Sequence, residues 1–183
     1  AGDLSEAGVS SESAIVRTLG SGIDIFLQPG EWYFGDADTR IRTTLGSCVA
    51  ITLWHPVKKL GGMCHYMLPA RSRKCSSSEL DGRYADEALR LLQREAQRVG
   101  TQLSDYEAKL FGGGNMLAIG SSPVSVPERN IAVGRALMQL YGLQVKAESL
   151  GGQGYRQLIF DIATGDVWVR RGGVSVGLND MVG

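Results

Sequence analysis

The stretch of residues 42–69 reads RTTLGSCVAITLWHPVKKLGGMCHYMLP, and it contains the two strands around which we expect the chain to fold. Residues 49–54 are β-branched and almost continuously apolar, which predicts a strand buried on both faces. A polar corner that contains a proline ends this strand, and residues 60–68 predict a second one. Cys48 follows a Gly-Ser turn and precedes the first strand, whereas His65 lies inside the second. We therefore expect Cys48 and His65 to meet in space.

The patterns on either side of this stretch predict more strands than helices. Short β-branched or aromatic runs between glycine and proline turns predict strands at residues 23–27, 32–34, 40–45, 106–111, 143–150, 155–162 and 167–171. Apolar residues at a 3.6-residue spacing predict a helix at residues 83–99, and residues 128–141 predict a second helix with a proline just before it. Because the strands do not alternate regularly with the helices, we predict an α+β fold of packed β-sheets with flanking helices.

Length and composition predict one globular domain. The chain has 183 residues, of which 43% are apolar, and this is enough to form a core without disulfides or metal. Residues 1–21 are small and polar and predict a flexible N-terminal extension. The remaining residues, 22–183, are then expected to form the single domain.

Charge and hydropathy give no indication of a nucleic-acid partner or of membrane insertion. The 19 Lys and Arg residues balance 19 Asp and Glu residues. The longest apolar runs are well short of the about 20 residues that span a bilayer, and no signal peptide is recognisable at the N-terminus. Three cysteines at irregular spacing favour free thiols over a disulfide framework. We therefore expect the protein to reside in the reducing cytoplasm.

Cys48 is the best candidate for a nucleophile among the three cysteines. Cys75 lies in a serine-rich loop that offers no framework to position it. Cys64 is adjacent to His65, so on a strand the two side chains point to opposite faces. The turn before Cys48 leaves backbone N–H groups free to point at a developing oxyanion. The alternative for Cys48 is a small, buried core residue.

A thiol nucleophile needs a base, and the sequence contains two histidines. His55 precedes a proline at a polar corner, and we expect it to face solvent. His65 lies inside an apolar strand, where a partner must satisfy its polar atoms. By itself it fits a core histidine bonded to a carbonyl group, but a pairing with Cys48 accounts for both residues. We therefore predict that His65 is the base.

Other kinds of site have less support. The sequence contains no Cys-x-x-Cys or His-x-x-x-His pair, and adjacent Cys64 and His65 are poor joint ligands, which disfavours zinc. The glycine runs at residues 112–115 and 151–154 lack the Lys-Ser/Thr ending of a P-loop and the spacing of a dinucleotide-binding loop. We interpret these runs as loops beside the site, and the chemistry expected of a Cys-His pair needs no cofactor.

Several motifs together resemble the CheD family of chemoreceptor glutamine deamidases. They are LGSCVA at residues 45–50, GxxHxxLP at 62–69, GRYAD at 82–86, EAK at 107–109, FGG at 111–113, RN at 129–130, GG at 151–152 with Arg156, TG at 164–165 and VR at 169–170. The resemblance extends over residues 23–171. Only the N-terminal extension and the last residues lie outside it.

The resemblance implies a cytoplasmic cysteine hydrolase, a protein-glutamine glutaminase, that converts selected glutamines of methyl-accepting chemotaxis receptors to glutamates and releases ammonia. By the family's pattern Cys48 is the nucleophile and His65 the general base. A threonine shortly before the cysteine completes the site, for which we choose Thr43, with Thr44 as the alternative. His55 stands where the family commonly has an acidic residue. The implied fold resembles that of the cytotoxic necrotizing factor deamidases, and a CheC-type phosphatase is an implied second partner.

Three functions remain open for the sequence. The first is the glutamine deamidase. The second is another Cys-His acyl hydrolase, such as a peptidase or transglutaminase. The third is a non-catalytic adaptor that binds receptors or a phosphatase, with Cys48 in a structural role. Ammonia release without backbone cleavage or cross-linking is expected of the deamidase alone.

Overall fold

The computed structural model describes residues 15–19, 22–72, 79–116 and 125–173. The strands are β1 (Ile15–Leu19), β2 (Gly22–Leu27), β3 (Trp32–Gly35), β4 (Thr39–Leu45), β5 (Val49–His55), β6 (Leu60–Tyr66), β7 (Glu107–Gly112), β8 (Gln144–Leu150), β9 (Tyr155–Asp161) and β10 (Val167–Gly172). The helices are α1 (Ala85–Arg98) and α2 (Val126–Leu140), with a 3-10 turn at Leu103–Asp105. The predicted α+β class is confirmed, and each predicted element is found within two residues of its expected bounds.

The strands form two mixed sheets of five strands each. The inner sheet has the order β3-β6-β5-β7-β8, and the outer sheet has the order β1-β2-β4-β9-β10. Neighbouring strands are antiparallel except for the parallel pairs β7–β8 and β2–β4. Both helices pack on the face of the inner sheet that points away from the outer sheet. The layers are therefore helices, inner sheet and outer sheet.

Strand β1 falls within the stretch that we predicted to be a flexible extension. Its residues Ile15–Leu19 pair antiparallel with β2 at the edge of the outer sheet. The rest of residues 1–21 lies outside the described part of the chain. The division into an extension and one domain stays a prediction.

The central strands of the inner sheet are buried on both faces because an apolar cluster lies on each side of them. Leu53, Leu89 and Leu110 belong to the cluster between the helices and the inner sheet. Ala50 and Phe160 belong to the cluster between the two sheets. Strand β5 contributes to both clusters, which explains its almost continuously apolar sequence. The prediction that this strand is buried on both faces is confirmed.

The prediction that His55 faces solvent is wrong. Only 9% of His55 is exposed, and its ring stands edge-on to Tyr106 with 5.3 Å between the centroids. Its Nδ1 accepts the backbone N–H groups of Val57 at 3.3 Å and Lys58 at 3.1 Å. The imidazole thus satisfies two donors of the turn between β5 and β6, and the same contacts remove it from solvent.

In the part of the chain that the structure describes, no helix combines the length and hydropathy needed to cross a membrane.

Candidate active site

Cys48 directly precedes β5 and His65 lies in the neighbouring strand β6, and both are on the same face of the inner sheet. The β5–β6 ladder pairs Ala50 with His65, so these two side chains share a face. Cys48 lies two residues before Ala50 and packs against the same cluster between the sheets. Cys48 therefore lies just beyond the end of the ladder, on the face of the inner sheet to which His65 belongs.

Cys64 faces away from this pair, as its position next to His65 predicts. It belongs to the cluster between the helices and the inner sheet and is completely buried. Burial raises the pKa of its thiol to about 12, so it stays protonated and unreactive. Cys48 is only partly buried, which leaves it open to a substrate. Cys75 lies outside the described residues.

Thr43 fixes the tautomer of His65 from the opposite sheet. Its hydroxyl donates to the carbonyl oxygen of Leu27 at 2.9 Å and lies 2.7 Å from Nδ1 of His65. A hydroxyl has one hydrogen, and while Thr43 donates it to Leu27, the contact with His65 is made by Nδ1–H donating to Thr43. The other nitrogen, Nε2, then carries a lone pair. Nε2 is buried and finds no hydrogen-bond partner within the described residues.

The choice between the two threonines follows from the alternation along β4. Thr39, Ile41, Thr43 and Leu45 are buried, whereas Thr44 is exposed. Successive side chains of a strand point to opposite faces, so Thr44 points away from the inner sheet. Of the two threonines, Thr43 is the one that contacts His65.

Burial sets the resting protonation states of the pair. It lowers the pKa of His65 to about 4 from an ordinary value of 6.5, so the imidazole is neutral at physiological pH. Burial also raises the pKa of the Cys48 thiol, an effect that the nearby Ser47 hydroxyl partly offsets. Both shifts disfavour a preformed thiolate–imidazolium pair. Both groups are therefore uncharged at rest: Cys48 is a neutral thiol, and His65 is a neutral imidazole that is able to accept a proton.

The turn that carries Cys48 is held in place by hydrogen bonds to its carbonyl groups. Gly114 N–H donates to the Gly46 oxygen at 2.9 Å, and Gly113 N–H donates to the Cys48 oxygen at 2.8 Å. The Ser47 oxygen accepts Nδ2 of Asn130 at 3.2 Å. Three consecutive carbonyl oxygens are thus engaged by donors outside the turn, which fixes the direction of the backbone at the nucleophile.

The two glycine runs lie beside the site, as predicted, and they bind each other. Gly151 N–H donates to the Gly112 oxygen at 2.9 Å, and Asn115 N–H donates to the Gly152 oxygen at 2.8 Å. A Cβ on Gly112, whose φ is +111°, would collide with the Cys48 carbonyl oxygen. Glycine is therefore required for the close approach of this loop to the turn at Cys48.

Arg156 links the two glycine runs by hydrogen bonds to their carbonyl oxygens. Its guanidinium donates to the carbonyl oxygens of Gly112 at 3.3 Å and Gly151 at 2.6 Å, and its Nε donates to Ser149 Oγ at 3.0 Å. Only 1% of Arg156 is exposed, although all three acceptors are neutral. Burial and the neighbouring Arg171 lower its pKa, but an arginine remains charged.

Sequence reasoning missed the contacts of Asn130 and Arg156, which it named only as parts of a resemblance. A signal for Asn130 was available in the periodicity of α2. The buried positions of this helix are Asn130, Gly134, Leu137 and Met138, which form one helical face. A polar residue on a buried face must bond to something. The partners of both residues are distant in sequence, so the local pattern does not identify them.

Among the side chains that the structure describes, no group of three His, Cys, Asp or Glu residues is arranged to hold a metal ion.

Comparison with known proteins found a family and several curated relatives. A family model described as CheD chemotactic sensory transduction matches residues 67–171. A protein of Pseudomonas fluorescens is 51% identical over 150 residues, which cover 80% of this chain and 84% of the relative. One of Chromobacterium violaceum is 49% identical over 153 residues, covering 82% of this chain and 79% of the relative. Both carry the name "Probable chemoreceptor glutamine deamidase CheD", the second with the number 1 appended.

The two kinds of match differ in what they cover. The family model begins just after His65, so it includes neither member of the Cys-His pair. The relatives align over about four fifths of the chain, and a continuous stretch of that length includes Thr43, Cys48 and His65. The similarity to the relatives therefore extends over the site.

Proposed function

The chain belongs to the CheD family, and from this premise we propose that Cys48, His65 and Thr43 form the active site of a chemoreceptor glutamine deamidase. The enzyme is a hydrolase that converts glutamine side chains of chemoreceptors to glutamates. The contacts of Thr43 with His65 and the position of Cys48 support these roles. The main observation behind the proposed roles is the hydrogen bond between Thr43 and Nδ1 of His65. This bond leaves Nε2 unprotonated, on the face of the sheet that Cys48 shares.

The first half of the reaction forms a thioester. Nε2 of His65 removes the proton of the Cys48 thiol as Sγ attacks the carboxamide carbon of the glutamine. The carbonyl π-electrons move to the oxygen and give a tetrahedral oxyanion. The electrons return, the carbon–nitrogen bond breaks, and the imidazolium donates its proton to the leaving nitrogen. Ammonia departs, and the acyl group remains on sulfur.

The second half releases glutamate. Nε2 accepts a proton from a water molecule as the water oxygen attacks the thioester carbon. The carbon–sulfur bond breaks, and the proton returns from His65 to the Cys48 thiolate. One water is consumed and one ammonia is released for each glutamine converted, and no cofactor takes part.

We assign the stabilisation of the oxyanion to backbone N–H groups of the turn at residues 46–48. The carbonyl oxygens of these three residues are engaged by Gly113, Gly114 and Asn130. This arrangement supports the assignment because a fixed turn holds its N–H groups in place before the charge develops. Donors that need no reorganisation are the ones that lower the barrier most.

The substrate segment that we propose is the cytoplasmic domain of a methyl-accepting chemotaxis receptor, which places the reaction in the cytoplasm. A CheC-type phosphatase is a second partner that we propose from the family resemblance alone. We also propose that the two packed sheets and flanking helices have the fold of the cytotoxic necrotizing factor deamidases, which superposition on such a deamidase would test.

The experiment that tests the function uses the wild-type chain, Cys48→Ala and a receptor cytoplasmic domain. We expect the wild type to release ammonia and to convert specific glutamines to glutamates, as read by intact and peptide mass spectrometry. Cys48→Ala should release none. Backbone fragments without ammonia would indicate a peptidase, and ammonia with cross-linked amines a transglutaminase. Receptor binding without any change in the receptor's mass would indicate a non-catalytic adaptor.

A further inference from the structure

Asn130 stands outside the proposed catalytic group, yet it contacts both strands that carry this group. Its Nδ2 donates to the carbonyl oxygens of Ser47 at 3.2 Å and Met67 at 2.8 Å. Its own backbone oxygen accepts the Tyr66 hydroxyl at 2.6 Å. Ser47 precedes Cys48, and Tyr66 and Met67 follow His65. One helical residue is therefore bonded to the neighbours of the nucleophile and to the neighbours of the base.

The bridge made by Asn130 lies where the regular ladder stops. The β5–β6 pairing ends at the pair of Val49 and Tyr66. Cys48 lies one residue beyond this pair, so the ladder does not fix its distance from β6. The Nδ2 group of Asn130 spans this position by holding Ser47 and Met67 together. It takes the place of the next ladder bond and leaves Cys48 itself unpaired to β6.

The burial of Asn130 indicates that its amide is kept for these two bonds. The residue is 0% exposed, and the two acceptors of Nδ2 fix the orientation of the amide. Its Oδ1 is left buried with no hydrogen-bond partner among the described residues. A buried acceptor without a partner destabilises a fold. An apolar residue at this helical position would avoid that cost, but it would also lose the bridge.

We infer that Asn130 is a positioning residue of the deamidation: its amide sets the separation between Cys48 and His65. This inference rests on the proposed function of that pair. Asn130 touches neither the substrate nor the reacting atoms. Its effect is on the alignment of Sγ with Nε2, and a misplacement of about 1 Å at such a pair costs roughly 100-fold in rate.

The test compares Asn130→Ala with the wild type and with Met138→Ala, a matched control. Met138 is buried on the same face of α2, in the cluster between the helices and the inner sheet, and its thioether cannot donate a hydrogen bond. Its truncation therefore removes helix packing without removing a donor. The assay is ammonia release from a receptor cytoplasmic domain, at a temperature where circular dichroism finds each variant folded. We expect Asn130→Ala to lower kcat roughly 100-fold with little change in KM, and Met138→Ala to retain the wild-type kcat.

Asn130→Asp adds a readout that helix packing alone does not change. As a carboxylate it faces two carbonyl oxygens and cannot donate, whereas in the protonated form it donates one bond. Its kcat relative to wild type should therefore rise as the pH falls from 8 to 5. This variant differs from the wild type in one heavy atom. If Asn130→Ala does not fold, the pH dependence of kcat in Asn130→Asp tests the positioning role instead.

The outcomes separate the inference from the proposed function. A wild-type kcat in Asn130→Ala, an equal loss in Met138→Ala, or a pH-independent ratio for Asn130→Asp would overturn the positioning role. A wild-type protein that releases no ammonia would contradict the proposed function instead. Iodoacetamide labelling of Cys48 would then decide the inference. Faster labelling in Asn130→Ala, because the turn is released, supports the bridge, and an unchanged rate overturns it.

Discussion

The two ring nitrogens of His65 have unlike surroundings, and this difference determines what the residue can do. Nδ1 meets a hydroxyl whose only hydrogen is already donated to Leu27, whereas buried Nε2 has no partner within the described chain. A neutral imidazole held in one tautomer is a base ready to accept a proton. In the proposed site, the neutral hydroxyl of Thr43 has the orienting role that a carboxylate has in many Cys-His and Ser-His sites.

Removing the Thr43 hydroxyl should leave His65 in place but free to change tautomer. We expect Thr43→Val to lower kcat by roughly 10²-fold or more, because a wrong tautomer presents N–H to the thiol. Thr43→Ser keeps the hydroxyl and should retain most activity. Thr44→Val is the control, since Thr44 is exposed on the opposite face. Ammonia release with a receptor domain measures all three, and full activity in Thr43→Val would contradict the role of the hydroxyl.

Cys48 should titrate as a buried thiol in the absence of substrate. Burial raises its pKa, so the midpoint of its alkylation rate against pH should lie above the about 8.5 of an ordinary thiol. Iodoacetamide labelling followed by peptide mass spectrometry measures this in a Cys75→Ser background. Cys64, with a pKa of about 12 and no exposure, should remain unlabelled in the native protein. A midpoint near pH 6 would instead indicate a preformed thiolate–imidazolium pair.

At the scale of single residues, the sequence predicted the pair of Cys48 and His65 because few residue types can supply a nucleophile and a base. It left Thr43 and Thr44 open, although the alternation of β4 decides between them once the strand is known. His55 was misjudged because its burial depends on Tyr106, which is distant along the chain. Local pattern cannot report such a contact.

At the scale of elements, the two glycine runs contribute to the proposed site as much as the strands do. Residues 112–115 and 151–154 bond to each other, and the first of these runs bonds to the turn at Cys48. Arg156 donates to a carbonyl oxygen of each run. Strands and helices were predictable because hydrophobic period and turn residues are local signals. The division of the strands into two sheets was not, because β4 pairs with β9 from the far end of the chain.

Gly114→Ala should disturb the site without unfolding the protein. A Cβ at residue 114 would collide with the carbonyl oxygen of Gly154, so one of the two glycine loops must shift. The bond from Gly114 N–H to the Gly46 oxygen would weaken, and we expect kcat to fall by at least about tenfold.

The matched control is Gly142→Ala. Gly142 has a φ of +63° and open space around it, so this substitution costs about 1–2 kcal/mol of stability without moving a loop of the site. Its kcat should equal that of the wild type. Equal activity in Gly114→Ala would show that the loop contact is dispensable.

At the scale of the whole molecule, the burial of His65 couples folding to pH. The unfolded chain protonates His65 with a pKa near 6.5, whereas the folded chain does so only near 4. The unfolded state therefore binds the proton more readily, and stability is lost as the pH falls from 6.5 to 4. The shift corresponds to about 3 kcal/mol of unfolding free energy.

Urea denaturation at pH 7.5, 5.5 and 4.0 measures this loss. The comparison with His65→Gln isolates the histidine, since all other titrating groups are common to both proteins. We expect the wild type to lose up to about 3 kcal/mol more than the variant over this range. Parallel pH profiles for the two proteins would mean that His65 titrates normally in the folded state.

The proposed site takes residues from both sheets, so a denatured chain must assemble both sheets before its activity returns. Cys48 directly precedes the β5–β6 hairpin, and His65 lies within it. The contacts of this hairpin are local in sequence and form early during folding. Thr43 reaches His65 only when β4, paired with β2 and with β9 from the C-terminal half, docks on the inner sheet. Long-range docking of this kind is slow. A refolding chain should thus protect the hairpin amides from hydrogen exchange well before it regains deamidase activity, and the contact that orients the proposed base forms last.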